Sequence, residues 1–405
     1  MYIETFEGSW LRHPFWRSRF LLTKPEDLTR LLDSDVPGII IDDEKGVGLH
    51  REQAGGAKPA SPASQPSELP LPIARENRSP SFERPSSYAE ERARAVRIVT
   101  HSKKVMRNVF DAARLGKAVR SSDVLSVVDD ISASLARNSM ALLNVARLKS
   151  KDEYTYLHSV AVCALMVNLA RHIGIGEENV RELGLAGLLH DIGKMTVPSP
   201  ILNKPGHLSD EEFAIVQSHP EKGFQLLGES CDIPDVALDV CRHHHEKIDG
   251  TGYPQRLRGE EITLPARMGA ICDVYDALTS NRAYKDAWSP ADAIAAMDGW
   301  AGQFDPDLLF RFMQSIAVYP VGMLVRLRSN RLALLLDNGR RASRPKVRAF
   351  YSTVERKLIK PTDVVIGDSL ADDQIISRED PAHWGIPDWA TLGANLDIPS
   401  EQFAA

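Results

Sequence analysis

The pair His190-Asp191 is the part of this sequence best suited to chemistry. It stands at the end of an apolar run that predicts a helix, and it places a neutral ring nitrogen beside an anionic carboxylate. Both groups are common ligands of divalent transition metals. A carboxylate has two oxygens and can bridge two ions, and Lys194 lies one turn further on, where it can reach an anion above them. The alternative is a His-Asp pair that only caps the end of a helix.

Further residues with the same ligand chemistry follow through the middle of the chain, and they are His158, His219, His244, His245 and Asp273. Five histidines near predicted helix ends, together with two carboxylates, exceed what one ion needs, so the sequence predicts two ions. Because no cysteine belongs to the set, iron, manganese, zinc and nickel are the candidate metals. His244 and His245 would lie about 100° apart on a helix, so each can serve a different ion.

The chemistry of such a metal pair points to a phosphoester substrate. Two divalent ions roughly 3.5–4 Å apart polarise phosphoryl oxygens and activate water for in-line attack on phosphorus. In the segment 246–254, two glycines let backbone N–H groups approach an anion; Gly252 directly precedes Tyr253, whose ring offers a face to a base. Arg282 and Lys285 add cations for a second phosphate. The alternative for residues 246–254 is an ordinary turn.

The elements that must position these residues are helices. Residues 150–317 show helical patterns one after another without a strand pattern, which predicts an all-α core. Ser209 begins a capping box with Glu212, so a helix starts there and runs towards His219, which Pro220 would expose at a helix junction. We therefore expect a mainly α protein with an all-helical catalytic domain over residues 150–317.

The segments before this domain carry no visible catalytic motif. Residues 1–53 predict a small α/β module, with a short helix over 25–32 and a buried strand over 38–42. Residues 54–87 are rich in Pro, Ser, Ala and Gly, which indicates a flexible linker.

Residues 88–149 predict a helical connector, a long helix with one apolar face. The apolar residues of this face recur at near-heptad spacing, with Asn138 at one seam position, and they are Val124, Val128, Ile131, Leu135, Leu142 and Val145. Either the face packs on the catalytic domain of the same chain, or it forms a homodimer seam along residues 124–145. The pattern does not decide between the two.

The character of the sequence changes again after residue 317. Residues 318–405 predict a small β appendage, with strands over 324–328, 331–336 and 347–351, a hairpin turn over 337–339, and irregular structure over 376–405. Its basic residues either bind an anion or form a solvated charged face, which we favour. They are Arg326, Arg328, Arg331, Arg340, Arg341, Arg344, Lys346 and Arg348.

Composition bounds the class of protein. The chain has 405 residues, of which 43% are hydrophobic and 26% charged, as in soluble proteins with a substantial core. Its net charge of −6 argues against DNA binding but allows a local cationic pocket. We expect no signal peptide and no membrane span, and hence a cytoplasmic protein. The four cysteines predict reduced core thiols, although Cys241 lies near the histidine pair and is an alternative soft ligand.

Together these motifs resemble the HD-GYP family, bacterial phosphodiesterases of cyclic di-GMP that form a branch of the HD metallohydrolase superfamily. The matching segments span residues 150–317, and they are Tyr154 to Ser159, His190 to Lys194, Asn203 to Gly206, Ser218 to Pro220, His244 to Pro254 and Asp273 to Thr279. The first 50 or so residues resemble a module of no settled function that often precedes such domains, so they imply no activity.

The resemblance implies a role for each site residue. One iron-type ion would be held by His158, His190, Asp191 and Asp273. The other would be held by Asp191, His219, His244 and His245. Contacts to phosphates and bases would come from Lys194, Gly252, Tyr253, Arg282 and Lys285, with Asp191 and Lys194 in the catalytic roles. The neighbouring His243 has no counterpart among the ligands, and we interpret it as structural.

From this resemblance we expect a metal-dependent enzyme that hydrolyses cyclic di-GMP to the linear dinucleotide pGpG, and more slowly to GMP. Some relatives carry a glutamate at the position of Tyr154, which supplies an oxygen for a third ion. A phenol with a pKa near ~10 is a poor ligand at neutral pH, so we expect two ions. The alternative is a cyclic di-GMP receptor that signals through partner proteins. Such a receptor would be expected to have lost ligands, and here all are present.

Overall fold

The computed structural model describes residues 2–7, 20–22, 25–32, 38–41, 87–147, 154–202, 204, 206–230, 232–280, 287–336, 345–367 and 372–386. Its contacts divide the chain into two compact units, Met1–Ser86 and Ser87–Ala405. None of the helices in these described ranges combines the length and the hydropathy that crossing a membrane requires.

The described part of the first unit is a small sheet with one helix. Strands β1 (Tyr2–Glu7), β2 (Phe20–Leu21) and β3 (Gly38–Ile41) form an antiparallel sheet in the order β2-β1-β3, and helix α1 spans Pro25–Leu32. The predicted helix and strand are confirmed in position, although the strand ends one residue earlier than predicted. The predicted burial of the strand is wrong, because Ile40 is exposed and Ile39 and Ile41 are only half-buried. The predicted linker over 54–87 lies outside the described residues except for Ser87.

The second unit opens with two packed helices, where the sequence predicted one long helix. Helix α2 spans Tyr88–Arg114 and helix α3 spans Leu125–Ala146. The chain turns after α2 because Gly116 adopts a left-handed conformation with φ 72°, which favours glycine at a helix end. Buried Glu91 of α2 accepts hydrogen bonds from Ser134 Oγ at 2.7 Å and Arg137 Nε at 2.8 Å on α3. The two helices are thereby tied together.

The apolar face of α3 packs inside the chain. Its predicted members Val124, Val128, Ile131, Leu135, Leu142 and Val145 are all buried, and α3 packs against α2. Asn138 is not a seam residue, because it interrupts the helix with φ −164° and ψ 97°, and its Oδ1 accepts a hydrogen bond from Ala141 N. The same helix also packs against the helices over Tyr154–His172 and Glu177–Leu189, so of the two alternatives, packing on the catalytic domain of the same chain is the one observed.

The remaining helices build the core around the predicted ligands. They are α4 (Tyr154–His172), α5 (Glu177–Leu189), α6 (Ser199–Leu202), α7 (Asp210–Gln217), α8 (His219–Gly228), α9 (Asp235–His243), α10 (Leu264–Thr279), α11 (Pro290–Gly299) and α12 (Pro306–Ile316), with 3-10 turns over Ile192–Thr196 and Gly259–Glu261. The described residues between 154 and 316 contain no strand, which confirms the predicted all-α core.

Local signals in the sequence set where these helices begin. The predicted capping box forms at the start of α7, where Ser209 Oγ accepts from Glu212 N and Glu212 Oε2 accepts from Ser209 N at 2.8 Å. His219 does lie at a helix junction, with Pro220 in the first turn of α8. The predicted exposure of His219 is wrong, because the start of α8 turns this side chain into the core, where it is 1% exposed.

A five-stranded antiparallel sheet follows the helices, in the order β7-β6-β5-β4-β8. Its strands are β4 (Leu324–Leu327), β5 (Arg331–Leu336), β6 (Lys346–Ser352), β7 (Lys357–Val365) and β8 (Ile375–Arg378). The three predicted strands are confirmed, and the predicted turn over 337–339 lies outside the described residues. The prediction of irregular structure over 376–405 is wrong in its first part, where β8 pairs with β4 and a 3-10 turn spans Pro381–Trp384.

Three of the predicted basic residues in this sheet have carboxylate partners. Arg348 Nε lies 2.6 Å and Lys346 Nζ lies 2.8 Å from the carboxylate of Asp363, and Arg331 Nη2 lies 3.0 Å from Asp373 Oδ2. These pairs argue against an anion site at the three residues. The predicted solvated face is wrong for Arg348, which is 3% exposed. Three of the predicted cations, Arg340, Arg341 and Arg344, lie outside the described residues.

Candidate metal centre

Seven side chains from five helical segments converge at one buried place. The first group consists of His158, His190 and Asp273, and the second of Asp191, His219, His244 and His245. Within each group the ligand atoms lie within 4.8 Å of one another. The helices that carry them pack directly, α4 on α5 and α10, and α9 on α5 and α10. All seven were predicted from the sequence, and the structure brings every one of them together.

Asp191 lies between the two groups. Its Oδ2 is 3.4 Å from His158 Nε2 and 3.4 Å from His190 Nε2, in the first group. Its Oδ1 is 3.3 Å from His219 Nε2 and 3.6 Å from His244 Nε2, in the second group. Each oxygen of one carboxylate therefore faces a different set of histidines, which is the geometry that a bridging ligand requires.

Hydrogen bonds on the side away from the centre orient the histidine rings. In four of them Nδ1 hydrogen-bonds to a fixed oxygen, so that Nε2 points to the centre. The partners are Asp276 Oδ2 for His158 (2.6 Å), the Gly187 carbonyl for His190 (2.9 Å), the Val216 carbonyl for His219 (2.7 Å) and the Val240 carbonyl for His244 (3.0 Å). Outer hydrogen bonds of this kind fix the tautomer and the orientation of metal-binding histidines.

Two buried polar atoms at the centre indicate a metal site independently of any motif. His190 Nε2 and Asp191 Oδ1 are inaccessible to solvent and make no hydrogen bond. A buried polar group without a partner costs about 1–3 kcal/mol, so native structures rarely leave one unsatisfied. A divalent cation would satisfy both atoms, and the surrounding imidazole nitrogens and carboxylate oxygens suit iron, manganese, zinc or nickel. The donor set therefore fits a pair of such ions.

The electrostatics keep the carboxylates charged. Burial alone would raise the pKa of Asp191, but the positive charge of Lys194 and the contact with His190 outweigh it, so this pKa lies well below its ordinary value. Burial would likewise raise the pKa of Asp273, but hydrogen bonding and charge from His158 lower it well below the ordinary value. Both groups are thus anions, the form in which a carboxylate binds a metal.

The histidines divide into two kinds. Burial lowers the pKa values of His219, His244 and His245, which keeps them neutral and able to ligate. Burial also acts to lower the pKa of His158, but its carboxylate neighbours outweigh this effect and raise the pKa to about 10. A divalent cation bound among the same carboxylates would compete with the proton of His158.

Lys194 reaches the centre from the 3-10 turn that follows Asp191. Its Nζ lies 2.5 Å from Asp191 Oδ2, while its side chain remains 20% exposed. The ammonium group therefore stands at the border between the buried carboxylate and solvent, where an anionic substrate would arrive.

The predicted loop after the histidines adjoins the second group. Tyr253 N–H donates to the His245 carbonyl at 3.2 Å, and the two rings stack with centroids 4.8 Å apart. A Cβ atom at Gly252 would lie 2.4 Å from Lys247 N, so only glycine allows the backbone to approach this closely. The remaining predicted contacts, Arg282 and Lys285, lie outside the described residues.

Two buried carboxylates were missed by sequence reasoning. Asp276 holds His158, and its available signal was its place one helical turn after Asp273. Glu246 is 3% exposed and accepts hydrogen bonds from the backbone N–H groups of Gln255 at 2.6 Å and Leu257 at 3.2 Å. Glu246 thereby secures the loop that carries Tyr253.

Two residues near the histidine pair, His243, predicted to be structural, and Cys241, the alternative soft ligand, lie outside the ligand groups. His243 pairs through Nδ1 with Asp239 Oδ1 at 2.8 Å, in keeping with a structural role. Burial raises the pKa of the Cys241 thiol, which disfavours the thiolate that a metal requires.

A helical domain that gathers a His-Asp pair and further histidines and aspartates around one buried centre defines the class of HD metallohydrolases. Residues 136–308 match the family described as HD domain, and residues 1–124 match a family described as Domain of unknown function (DUF3391). Cyclic di-GMP phosphodiesterase PA4108 of Pseudomonas aeruginosa is 45% identical over 387 residues, which cover 95% of this chain and 90% of that protein. This chain belongs to the HD-GYP family.

Two further proteins are similar over shorter stretches. Cyclic di-GMP phosphodiesterase response regulator RpfG of Xanthomonas campestris is 42% identical over 140 residues, 34% of this chain and 37% of that protein. Among solved structures, the HDG"Y"P protein Bd1817 from Bdellovibrio bacteriovorus is 22% identical with a TM-score of 0.47, covering 55% of this chain and 72% of the other.

Proposed function

We propose that this protein is a metal-dependent phosphodiesterase that hydrolyses cyclic di-GMP. The observation that carries the proposal is the Asp191 carboxylate, whose two oxygens face the two histidine groups separately. The substrate is supported by the relative named Cyclic di-GMP phosphodiesterase PA4108, which aligns with 95% of this chain. Hydrolysis of an intracellular messenger would place the enzyme in the cytoplasm.

The two groups would each hold one divalent ion, with Asp191 as the shared ligand. His158, His190 and Asp273 would complete the first site, and His219, His244 and His245 the second. When bound, such ions supply Lewis-acid activation of water and of the phosphoryl oxygens. Iron is our first choice, since nitrogen and oxygen donors without thiolate suit it, and manganese, zinc and nickel fit the same donors.

The chain itself binds and orients the substrate. Lys194 Nζ can exchange its contact with Asp191 Oδ2 for a phosphate oxygen, because its side chain is partly open to solvent. There its positive charge stabilises the negative charge that builds up on the phosphoryl oxygens, and it can deliver a proton to the departing ribose oxygen. Tyr253 offers its ring to a guanine base, and Gly252 opens the backbone beside it. Arg282 and Lys285 are proposed to bind the second phosphate.

The proposal is tested with protein purified without oxygen, by counting metal ions per chain and following nucleotide turnover by chromatography. We expect about two ions per chain and cleavage of cyclic di-GMP.

The comparison substrate is 3'3'-cGAMP, which appears in the name of a similar protein, the 3'3'-cGAMP-specific phosphodiesterase 2 of Vibrio cholerae, 37% identical over 42% of this chain. We expect kcat/KM for 3'3'-cGAMP to be about tenfold or more below that for cyclic di-GMP. This ratio corresponds to a discrimination by base contacts of about 1.4 kcal/mol or more. Tight nucleotide binding without hydrolysis by metal-loaded protein would instead support a receptor acting on partner proteins.

The number of metal ions per chain should decide whether pGpG or GMP is the main product. Tyr154 begins α4, so it shares that helix with His158 four residues later, as the prediction required; its side chain lies outside the described residues. A phenol at this position disfavours a third ion. The terminal phosphate of pGpG carries extra charge that a third ion would neutralise, so we expect pGpG to accumulate before GMP forms. A time course in which GMP appears without a pGpG phase, or three ions per chain, would contradict this.

A further inference from the structure

His158 differs from the other ligand histidines in the group that holds its outer nitrogen. Its Nδ1 lies 2.6 Å from Asp276 Oδ2, and both side chains are buried, His158 at 2% and Asp276 at 1% exposure. For His190, His219 and His244, the corresponding partner is a neutral backbone carbonyl. Of these four histidines, only His158 therefore has a carboxylate as the partner of its outer nitrogen.

Asp276 is itself held in place. It lies on α10 three residues after Asp273, so one helix face presents both the ligand carboxylate and the carboxylate behind His158. Ser280 Oγ, one turn later, donates to Asp276 Oδ1 at 3.3 Å. A fixed carboxylate on the outer nitrogen raises the basicity of the nitrogen that faces the metal, and it also fixes the ring orientation.

The two ligand groups are unequal in negative charge. The first contains Asp273, whose Oδ1 lies 3.0 Å from His158 Nε2, and it also faces Asp191 Oδ2. The second is built from three histidines around Asp191 Oδ1, and Asp273 Oδ2 approaches it only to 3.9 Å from His245 Nδ1. His245 is also the most open of the ligands, with its side chain 21% exposed. The first group therefore offers a divalent cation more negative charge in a drier place.

We propose that Asp276 is a positioning residue that makes the His158 group the tighter of two unequal metal sites, while the His219 group holds its ion more loosely. This inference rests on the proposed function, because it assumes that both groups bind an ion. It assigns to Asp276 no contact with substrate. Its effect is transmitted through the orientation and basicity of His158.

The test loads metal-free full-length protein with Mn²⁺ and then equilibrates it against increasing concentrations of a chelator, counting ions per chain at each step. We expect the wild-type protein to lose its ions in two separate steps. Asp276→Asn keeps the size of the side chain but removes the charge, so the tighter step should move to about 10–100-fold weaker affinity, with the looser step unchanged. Ser280→Ala, which removes the hydrogen bond from Ser280 Oγ to Asp276 Oδ1, should shift the same step in the same direction by less.

The matched control is Asp239→Asn. Asp239 holds His243 at 2.8 Å in the same kind of His-carboxylate pair, beside the centre but outside both ligand groups. This variant should release its ions like the wild type. Thermal unfolding of each metal-free variant shows whether a change in ion release merely follows a loss of fold.

Each outcome of this test bears on the proposal. If Asp276→Asn and Ser280→Ala both release ions as the wild type does, with a change in thermal unfolding alone, Asp276 is structural and the proposal is wrong. A shift of both steps by the same factor would also overturn it. Turnover of cyclic di-GMP in the same wild-type preparation judges the proposed function separately: two unequal ions without hydrolysis would refute the function and leave the inequality of the sites standing.

Discussion

Asp191→Asn should lower the turnover of cyclic di-GMP by about a thousandfold or more, since even one charge-stabilising donor is worth 10²–10³ in rate. The two oxygens of Asp191 face different histidine groups at 3.3–3.6 Å. An amide presents one uncharged oxygen and one NH₂ group, so one of the two groups would meet a donor in place of an anion. Because the amide has the same shape as the carboxylate, the fold should persist.

This prediction is checked by turnover, ions per chain and far-ultraviolet circular dichroism on the same sample. The control is Asp129→Asn, which removes an exposed carboxylate that pairs with Arg181 at 2.8 Å. Exposed ion pairs contribute about 0–1 kcal/mol, so this control should retain its activity and its ions. Near-normal hydrolysis by Asp191→Asn with metal still bound would refute the bridging role.

Gly193→Ala should destabilise the protein by about 3 kcal/mol or more, at the upper end of the cost of overpacking a core. A Cβ atom at this position would lie 1.9 Å from the His219 carbonyl oxygen and 2.6 Å from Gly223 N. Both neighbours are backbone atoms, so no side chain can rotate away. To relieve the clash, the turn that follows Asp191 must move away from the start of α8, and these two segments carry ligands of the same group. We therefore also expect loss of metal.

The measurement is the free energy of unfolding from denaturant titration, together with ions per chain. Gly228→Ala is the control, because a Cβ atom there meets nothing within 4 Å at the last residue of α8. Alanine favours a helix over glycine by up to about 1 kcal/mol, so this change should be neutral or slightly stabilising. Equal stability of the two variants would show that the backbone at Gly193 does not lie so close to the start of α8 in solution.

The ligands could be predicted because their chemistry is visible in residue type alone. Histidine and aspartate at predicted helix ends are uncommon enough together to indicate metals. The Ser209 capping box correctly located the start of the helix that leads to His219. The division into two groups came from family resemblance. What the structure adds is the orientation of Asp191, with one oxygen towards each group.

The features that escaped prediction depend on contacts between distant segments. Asp276 acts on a residue 118 positions earlier in the chain. Its place one helical turn after Asp273 suggests that it lies near the site, but that spacing does not identify His158 as its partner. The connector was expected to be one helix because the apolar positions that defined its face, Val124 to Val145, all follow the break and so gave no sign of the turn at Gly116. Strand β8 is only four residues long and pairs with β4 from far away, so local pattern could not reveal it.

The shared carboxylate also has an evolutionary consequence. In the proposed function Asp191 is a ligand of both ions, so neither site could be silenced at this position without disturbing the other, whereas loss of a single histidine would leave one site nearly whole. Aspartate and asparagine codons differ by one base. A lineage that needed a nucleotide-binding protein in place of a hydrolase could thus separate the two activities with one mutation, while the histidines and the Tyr253 loop stayed intact for recognition.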